Sequence, residues 1–348
     1  MVTEIHIVGR KVGAEHSCFI IAEAGVNHNG SLEVARRLVD AAVDACADAI
    51  KFQTFKAEKL YIKKAGYADY LNNKKSIYQI IKEMEMPESW IPRLAAYCDK
   101  KGVVFLSTPF DEQSVDLLDR YVPAFKIASY EMSHIPLVKH IAKKGKPIIM
   151  STGTAHLKEV EKSVRVIKSQ GNEELILMQC TACYPAPLDS LNLRSIVTMK
   201  TKFQVPMGLS DHSREFDIGP LAAIALGANC LEKHVTLSNK LEGPDHKFAV
   251  EPEELRLMVK KIREVEVALG TGRKEVLGVE RELRRFARRS VFAIENIHPG
   301  DIFSTRNTAV LRAGKIRYEI KPEEYENILG RSAKRRIEKY NSIKRGDY

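Results

Sequence analysis

Residues 205–234 read VPMGLSDHSREFDIGPLAAIALGANCLEKH. The apolar run Val205–Leu209 ends in Ser210, Asp211 and His212. Phe216–Leu226 has helical length, and the next apolar run, Cys230–Glu232, ends in Lys233 and His234. Strand, helix and strand in that order make a parallel pair joined by a crossover. The same unit recurs through the chain. Cys18–Ala22 leads into Glu23, Asn27 and His28, and Ala49–Phe52, which holds Lys51, leads into Gln53 and Thr54. Val103–Leu106 leads into Ser107 and Thr108, and Ala124–Ala128, which holds Lys126, into Ser129 and Glu131. Pro147–Met150 leads into Ser151 and Thr152, and Leu175–Cys180 into Thr181 and Tyr184. Eight such units over about 250 residues suit a closed (β/α)8 TIM barrel. The C-terminal strand ends of such a barrel meet on one face, where its chemistry is done. The polar residues that follow the runs are therefore expected to build one site.

The segments between the runs read as helices. Ser31–Cys46 places Leu32, Ala35, Leu38, Val39 and Ala42 close to a 3.6-residue period, behind an Asn29-Gly30-Ser31 cap signal. Pro87–Lys101, Asp111–Arg120, Pro136–Lys144, His156–Gln170, Leu191–Lys202, Phe216–Leu226 and Pro252–Leu269 read similarly. Phe55–Met86 is too long for a simple link and carries Tyr61, Tyr67, Tyr70, Asn72, Asn73 and Tyr78. An insertion of that length at the functional end reads as a substrate loop or as decoration. The pattern changes near Leu269. Residues 1–270 read as the barrel, 271–285 as a charged helix or linker, and 286–348 as a small, mostly β domain. In that domain Ser290–Ile294 and Ala309–Leu311 read as strands, and Pro322–Leu329 as a short helix closed by Gly330.

Composition narrows the function. No apolar run is long enough to span a bilayer, and Met1–Gly13 lacks a signal-peptide pattern, so a cytoplasmic protein with no membrane partner is expected. The six cysteines mostly sit inside apolar patterns, as free thiols do in a reducing compartment. Residues 271–348 hold 19 Lys and Arg against 11 Asp and Glu, within a net charge of +10. No nucleic-acid motif accompanies that charge, so it reads as a solvated basic surface and no nucleic-acid partner is expected.

Chemistry concentrates at the strand ends. His212 and His234 close neighbouring strands about 5 Å apart, with Glu23 next in the ring. Two imidazoles with a carboxylate or water suit a divalent metal acting as a Lewis acid; each histidine alone would suit a structural role. Lys51 and Lys126 lie inside apolar strands. With Thr108, Ser129, Ser151 and Ser210 they read as an anion clamp, or one of them as a Schiff-base lysine. Asp245 reads as a metal-water or sugar contact, or as a turn aspartate.

Taken together, these motifs resemble the sialic acid synthase family. They are Ile21-Ala-Glu-Ala-Gly-Val-Asn-His-Asn-Gly30, Ile50-Lys-Phe-Gln-Thr54, Ser107-Thr-Pro-Phe110, Phe125-Lys-Ile-Ala-Ser129, Met150-Ser-Thr-Gly153, Gly208-Leu-Ser-Asp-His212, Glu232-Lys-His234 and Gly243-Pro-Asp245. Ala287-Arg-Arg-Ser-Val291 resembles the opening of that family's SAF (antifreeze-like) domain. The resemblance implies condensation of phosphoenolpyruvate with N-acetylmannosamine, or a related N-acyl hexosamine, to a nine-carbon 2-keto acid and phosphate. It implies a divalent ion on His212 and His234, manganese foremost, with magnesium and cobalt as alternatives. It assigns catalytic roles to Glu23, Lys51, Lys126 and Glu131. It assigns substrate contacts to Gln53, Asn72, Thr108, Ser129, Ser151, Tyr184, Ser210, Asp245 and, from a domain-swapped homodimer, Arg312.

Two departures stand out. Ala313 follows Arg312 where the family usually has proline, which makes Arg317 a rival for its role. Ala182 stands where the family usually has a polar residue two positions before the Tyr-Pro pair. That points to an alternative acceptor, a 2,4-diacetamido-dideoxyhexose, the precursor of legionaminic or pseudaminic acid. The competing classes are a synthase taking a phosphorylated pentose or tetrose, a Schiff-base aldolase, and a binding protein on a barrel scaffold.

Overall fold

The structure, a computed structural model, describes residues 4–67 and 75–348. The chain forms two compact units, Met1–Gly270 and Thr271–Tyr348. The first opens with an antiparallel hairpin of β1 (Glu4–Ile7) and β2 (Arg10–Gly13). The barrel strands follow: β3 (Phe19–Gly25), β4 (Ala49–Thr54), β5 (Val104–Pro109), β6 (Phe125–Ile127), β7 (Ile148–Ser151), β8 (Leu175–Cys180), β9 (Met207–Asp211) and β10 (Cys230–His234). Their order is β5-β4-β3-β10-β9-β8-β7-β6, every pair is parallel, and β5 and β6 lie side by side to bring the ring round. The expected eightfold barrel is therefore present; β3, β4, β5, β7, β9 and β10 run one to three residues further into the polar motifs than their apolar runs, β8 ends as expected and β6 ends one residue short.

Helices lie where the 3.6-residue period put them. α1 (Leu32–Asp44) starts on Ser31, whose hydroxyl accepts from the Val34 amide, and buries Ala35, Leu38 and Val39. The long insertion carries α2 (Ala57–Leu60) and α3 (Ile77–Glu83). The remaining barrel helices are α4 (Ile91–Lys101), α5 (Glu112–Leu118), α6 (Ile135–Ala142), α7 (Leu157–Ser169), α8 (Ser195–Phe203), α9 (Ile218–Ala225) and α10 (Pro252–Leu269). Among the described residues no helix is long and apolar enough to cross a membrane.

Side-chain alternation along each strand divides the barrel into two cores. Ile20, Ala22, Ile50, Phe52, Leu209 and Leu231 face outward and pack under the helices. Phe19, Ile21, Ala49, Leu106, Ala124, Ile149, Ile176 and Cys230 face inward and fill the lower barrel. Ile5, Ile7 and Val12 of the N-terminal hairpin join that inner cluster, so the hairpin plugs the barrel floor. Its turn places Val8 and Gly9 at positive φ, as a two-residue hairpin requires. Arg10 pairs with Asp48, and the second oxygen of Asp48 accepts from the Ile20 amide at 2.7 Å, tying the plug to the rim.

The second unit has its own core of Val291, Ala293, Ile297, Phe303, Ile320, Ile328, Ile337 and Ile343. β11 (Arg289–Ala293) pairs antiparallel with β12 (Thr308–Arg312), behind the short helix α11 (Arg281–Ala287). The expected helix over Pro322–Leu329 is a correction. Only a 3₁₀ turn, Pro322–Glu324, forms there. Tyr325 donates to the Thr308 carbonyl at 2.8 Å and Ile328 is buried, so tertiary contacts hold the segment in turns.

The hairpin plug should carry real stability. Ile7→Ala, at a fully buried position, is expected to cost about 2–4 kcal/mol, measured by urea unfolding. A change under about 0.5 kcal/mol would show that the hairpin does not unfold with the barrel.

Candidate active site

Above the inner apolar layer seven of the eight strands, all but β8, turn polar side chains inward, and these surround a cavity of about 430 Å³. Glu23, Lys51, Gln53, Thr108, Lys126, Ser129, Glu131, Ser151, Tyr184, Ser210, His212, His234 and Asp245 all line it. The barrel thus brings together thirteen of the fifteen residues singled out from sequence. Asn72 lies outside the described residues. Arg312 and its rival Arg317 are exposed residues of the second unit.

The cavity floor is ionic. Lys51 Nζ lies 2.8 Å from Glu23 and 3.6 Å from Glu232, and donates to Thr108 Oγ1 at 3.0 Å. Lys126 Nζ lies 3.6 Å from Glu232 and donates to Ser151 Oγ at 2.8 Å. Gln53 donates to Glu23 at 3.0 Å, and Ser210 to Glu232 at 3.2 Å. The Lys51–Glu23 contact lacks hydrogen-bond alignment, so Glu23 Oε2 has a charged neighbour but no donor. Ser129 has a different role, accepting from the Gly153 amide at 3.0 Å.

Burial and charge compete on this floor. Burial pushes the Glu23 carboxyl up to about 7, with Glu232 adding to the rise and Lys51 opposing it. Burial works the same way on Glu232, but Lys126 and Lys51 outweigh it and hold that group below its usual value. Lys51 is depressed by burial and lifted further by Glu23 and Glu232, so it stays charged. Two lysines among hydroxyls, with Glu232 held below its usual value and Glu23 raised, make a floor that suits a small anion.

Glu232 was not singled out as a site residue. The missed signal is the two-residue period: Cys230, Glu232 and His234 alternate with Leu231 and Lys233, so Glu232 shares the inward face of His234.

The two histidines stand on one side of the cavity, ring centroids 5.4 Å apart. Tyr184 covers His212 at 4.3 Å and Phe248 packs on His234 at 4.9 Å. His212 Nδ1 lies 2.9 Å from the Thr181 carbonyl, which can only accept, so in the neutral ring Nδ1 carries the proton and Nε2 the lone pair; burial opposes a second proton, but Cys180 and Thr181 outweigh it and hold the imidazole above its usual value. Burial holds His234 well below its usual value and therefore neutral; its Nδ1 is buried without a hydrogen-bond partner, 3.5 Å from Asp245 Oδ2. Two imidazoles on one wall fit two positions of a divalent transition ion that keeps the others open. Among the described residues no group of three or more His, Cys, Asp or Glu is gathered for a metal. Water or substrate would complete such a shell.

Part of the lining is apolar. Leu60 and Tyr61 at the end of α2, Ile77, Ile80 and Ile81 of α3, and Met84, Phe55 and Phe110 line it. The insertion therefore reaches the cavity with aliphatic side chains and Tyr61, whereas Tyr67 is exposed and Tyr70 and Asn73 lie outside the described residues. Glu131, on the turn after β6, is buried nearby with Oε2 unpartnered. Burial pushes it up to about 7, and Lys126 offsets this only in part.

Residues 38–274 match the NeuB family. The chain is 42% identical to the spore coat polysaccharide biosynthesis protein SpsE of Bacillus subtilis, covering 92% of this chain and 90% of that one. It is 40% identical to an N,N'-diacetyllegionaminic acid synthase of Campylobacter jejuni, over 90% of this chain and 95% of the relative. Among solved structures it resembles an N-acetylneuraminic acid synthetase of Leptospira borgpetersenii in complex with citrate. That match has a TM-score of 0.74 and 36% identity, over 80% of this chain and 94% of the other.

The raised Glu131 sets a pH dependence. A carboxyl that titrates near 7 when folded and near 4.5 when unfolded stabilises the fold below about 4.5 and loses that contribution as pH rises through 7. Glu131→Gln should match the parent protein at pH 4 and exceed it at pH 8 by on the order of 2–3 kcal/mol. Chemical denaturation across pH measures this; a difference that does not change with pH would remove the assigned burial effect.

Proposed function

Because the chain belongs to the NeuB family, we propose that it joins phosphoenolpyruvate, an N-acylated hexosamine and water into a nine-carbon 2-keto sugar acid, releasing phosphate. N-acetylmannosamine is the simplest acceptor of that class. The observation that carries this reading is the positive floor of Lys51 and Lys126, fringed by Thr108 and Ser151, beneath a separate pair of histidines. A reaction between a small multiply charged anion and a polar aldehyde needs those two environments side by side.

In this reading Lys51 and Lys126 hold the phosphate and carboxylate of phosphoenolpyruvate, helped by the hydroxyls already bonded to them. Carbon 3 of phosphoenolpyruvate forms the new bond to the aldehyde carbon, whose oxygen gains a proton. Water adds at carbon 2, where positive charge develops, and phosphate departs with its bridging oxygen. Glu232, kept ionised by both lysines, faces that positive centre. Glu23, titrating close to neutrality, suits the transfer of a proton from the incoming water. His212 and His234 would hold a divalent ion, manganese foremost, and that ion when bound supplies Lewis-acid polarisation of the aldehyde.

A second acceptor is favoured by the wall of α2 and α3. A 2,4-diacetamido-dideoxyhexose carries a second acetamido group where N-acetylmannosamine carries a hydroxyl, and aliphatic side chains can take the methyl of that group out of water. Ala182, which lies against Gly153, and the C. jejuni relative named for diacetyllegionaminic acid support the same acceptor.

Phosphate release with manganese, across N-acetylmannosamine, its 2,4-diacetamido-dideoxy relatives and arabinose 5-phosphate, tests the assignment. Release with an N-acyl hexosamine, lost on adding EDTA, is expected. Turnover with the phosphorylated pentose alone would move the chain to the rival class. His212→Ala and His234→Ala are each expected to lower manganese-dependent turnover at least 100-fold, on the order seen when a first-rank catalytic interaction is removed. Unchanged rates in either variant would eliminate the histidine pair as the metal site.

A further inference from the structure

The motifs Ser210-Asp211-His212 and Glu232-Lys233-His234 each contain a charged residue that takes no part in the chemistry above. Alternation turns Asp211 and Lys233 away from the cavity, into the layer beneath the helices, where each is 1% exposed. They are direct partners in the β9–β10 ladder, and theirs is the last pair in it. His212 lies one residue beyond the end of β9, past the sheet's own hydrogen bonds to β10.

Side chains continue what the ladder ends. Lys233 Nζ donates to Asp211 Oδ2 at 2.7 Å, to the Ser213 carbonyl at 2.5 Å and to the Glu215 carbonyl at 2.8 Å. Asp211 accepts from the Ser213 amide at 2.9 Å and its hydroxyl at 3.1 Å. One ammonium thus spends its three donors on residues that flank His212 on both sides. On the β8 side, Thr181 takes the His212 ring proton and the His212 carbonyl accepts from Ala186 at 3.0 Å. Lys233 is the matching hold on the β10 side, and its own next residue is His234.

We propose that the buried Asp211–Lys233 pair is a positioning device that sets the separation of the His212 and His234 imidazoles, and through it the affinity of the site for a divalent ion. A buried ion pair is rarely needed for stability, because apolar residues of similar volume often do as well. Its directional bonds fix geometry, and here both ends are covalently next to the two imidazoles. The inference rests on the reading of those histidines as metal ligands.

The test is titration of the substrate-free, full-length protein with Mn²⁺, followed by electron paramagnetic resonance, alongside thermal melting. Lys233→Met should weaken Mn²⁺ binding by about 10–100-fold, the range typical of lost outer-shell support. Phosphoenolpyruvate affinity measured without metal should change by less than about threefold, since Lys51 and Lys126 are untouched. Lys233→Arg keeps the charge, but its planar fork cannot address the same three acceptors. It should fold even if the methionine variant does not, and still bind Mn²⁺ about tenfold more weakly. Wild-type Mn²⁺ affinity in either folded variant would overturn the positioning role. No Mn²⁺ binding by the wild-type protein would overturn the metal reading itself, and the positioning role with it.

Discussion

Successive side chains of a strand point to opposite faces, and in a closed barrel one face can only point inward. That constraint organises the molecule. Low on each strand the inward residues are apolar and meet the hairpin plug. One step higher stand Glu23, Lys51, Thr108, Lys126, Ser151, Ser210 and Glu232, and higher still Gln53, His212 and His234. The motifs look like tripeptides in sequence but act as alternating layers. In Glu232-Lys233-His234 the outer residues face the cavity and the middle one faces the helices.

Burying this many charges is costly, and the structure offsets the cost unequally. Lys126 and Lys51 hold Glu232 below its usual value, and Glu23 and Glu232 raise Lys51. Glu23, despite Lys51 at 2.8 Å, and Glu131 keep carboxyls raised towards neutrality. Groups like these reduce stability, and a fold tolerates them where they are used.

Much of this was legible in the chain because barrel strands announce themselves twice, by an apolar run and by the polar residue that ends it. Eight such endings in order outweigh any single ambiguous run. Boundaries suffered where the two signals overlap: β3, β4 and β5 continue through Glu23, Gln53 and Thr108, which read as loop by hydropathy. Glu232 was missed because it closed an apolar run and was counted with the strand. The plug was missed because an alternating hairpin at the N-terminus gives no sign of what it covers. Pro322–Leu329 was misread because a helical composition carries no information about Tyr325 bonding to Thr308. The wall of α3 was hidden because its aliphatic spacing fits packing against a neighbour as well as facing a substrate.

The site has two halves with opposite solvent logic, and in the proposed reaction that division bears on the acceptor. There the floor would bind through charge and discriminate poorly among acceptors that share an aldehyde. Discrimination would then fall to the apolar part of the lining, which among the described residues includes Leu60, Ile77, Ile80, Ile81 and Met84. An aliphatic wall rejects a hydroxyl by leaving it without a partner, and accepts a methyl by removing it from water. One such difference amounts to about 1–3 kcal/mol, or 10–200-fold in selectivity. That is enough to separate a deoxygenated acceptor from its hydroxylated counterpart without altering any residue that touches the new bond. The proposed reaction therefore separates its type from its choice of acceptor: one would belong to the strand ends, the other to the insertion after β4.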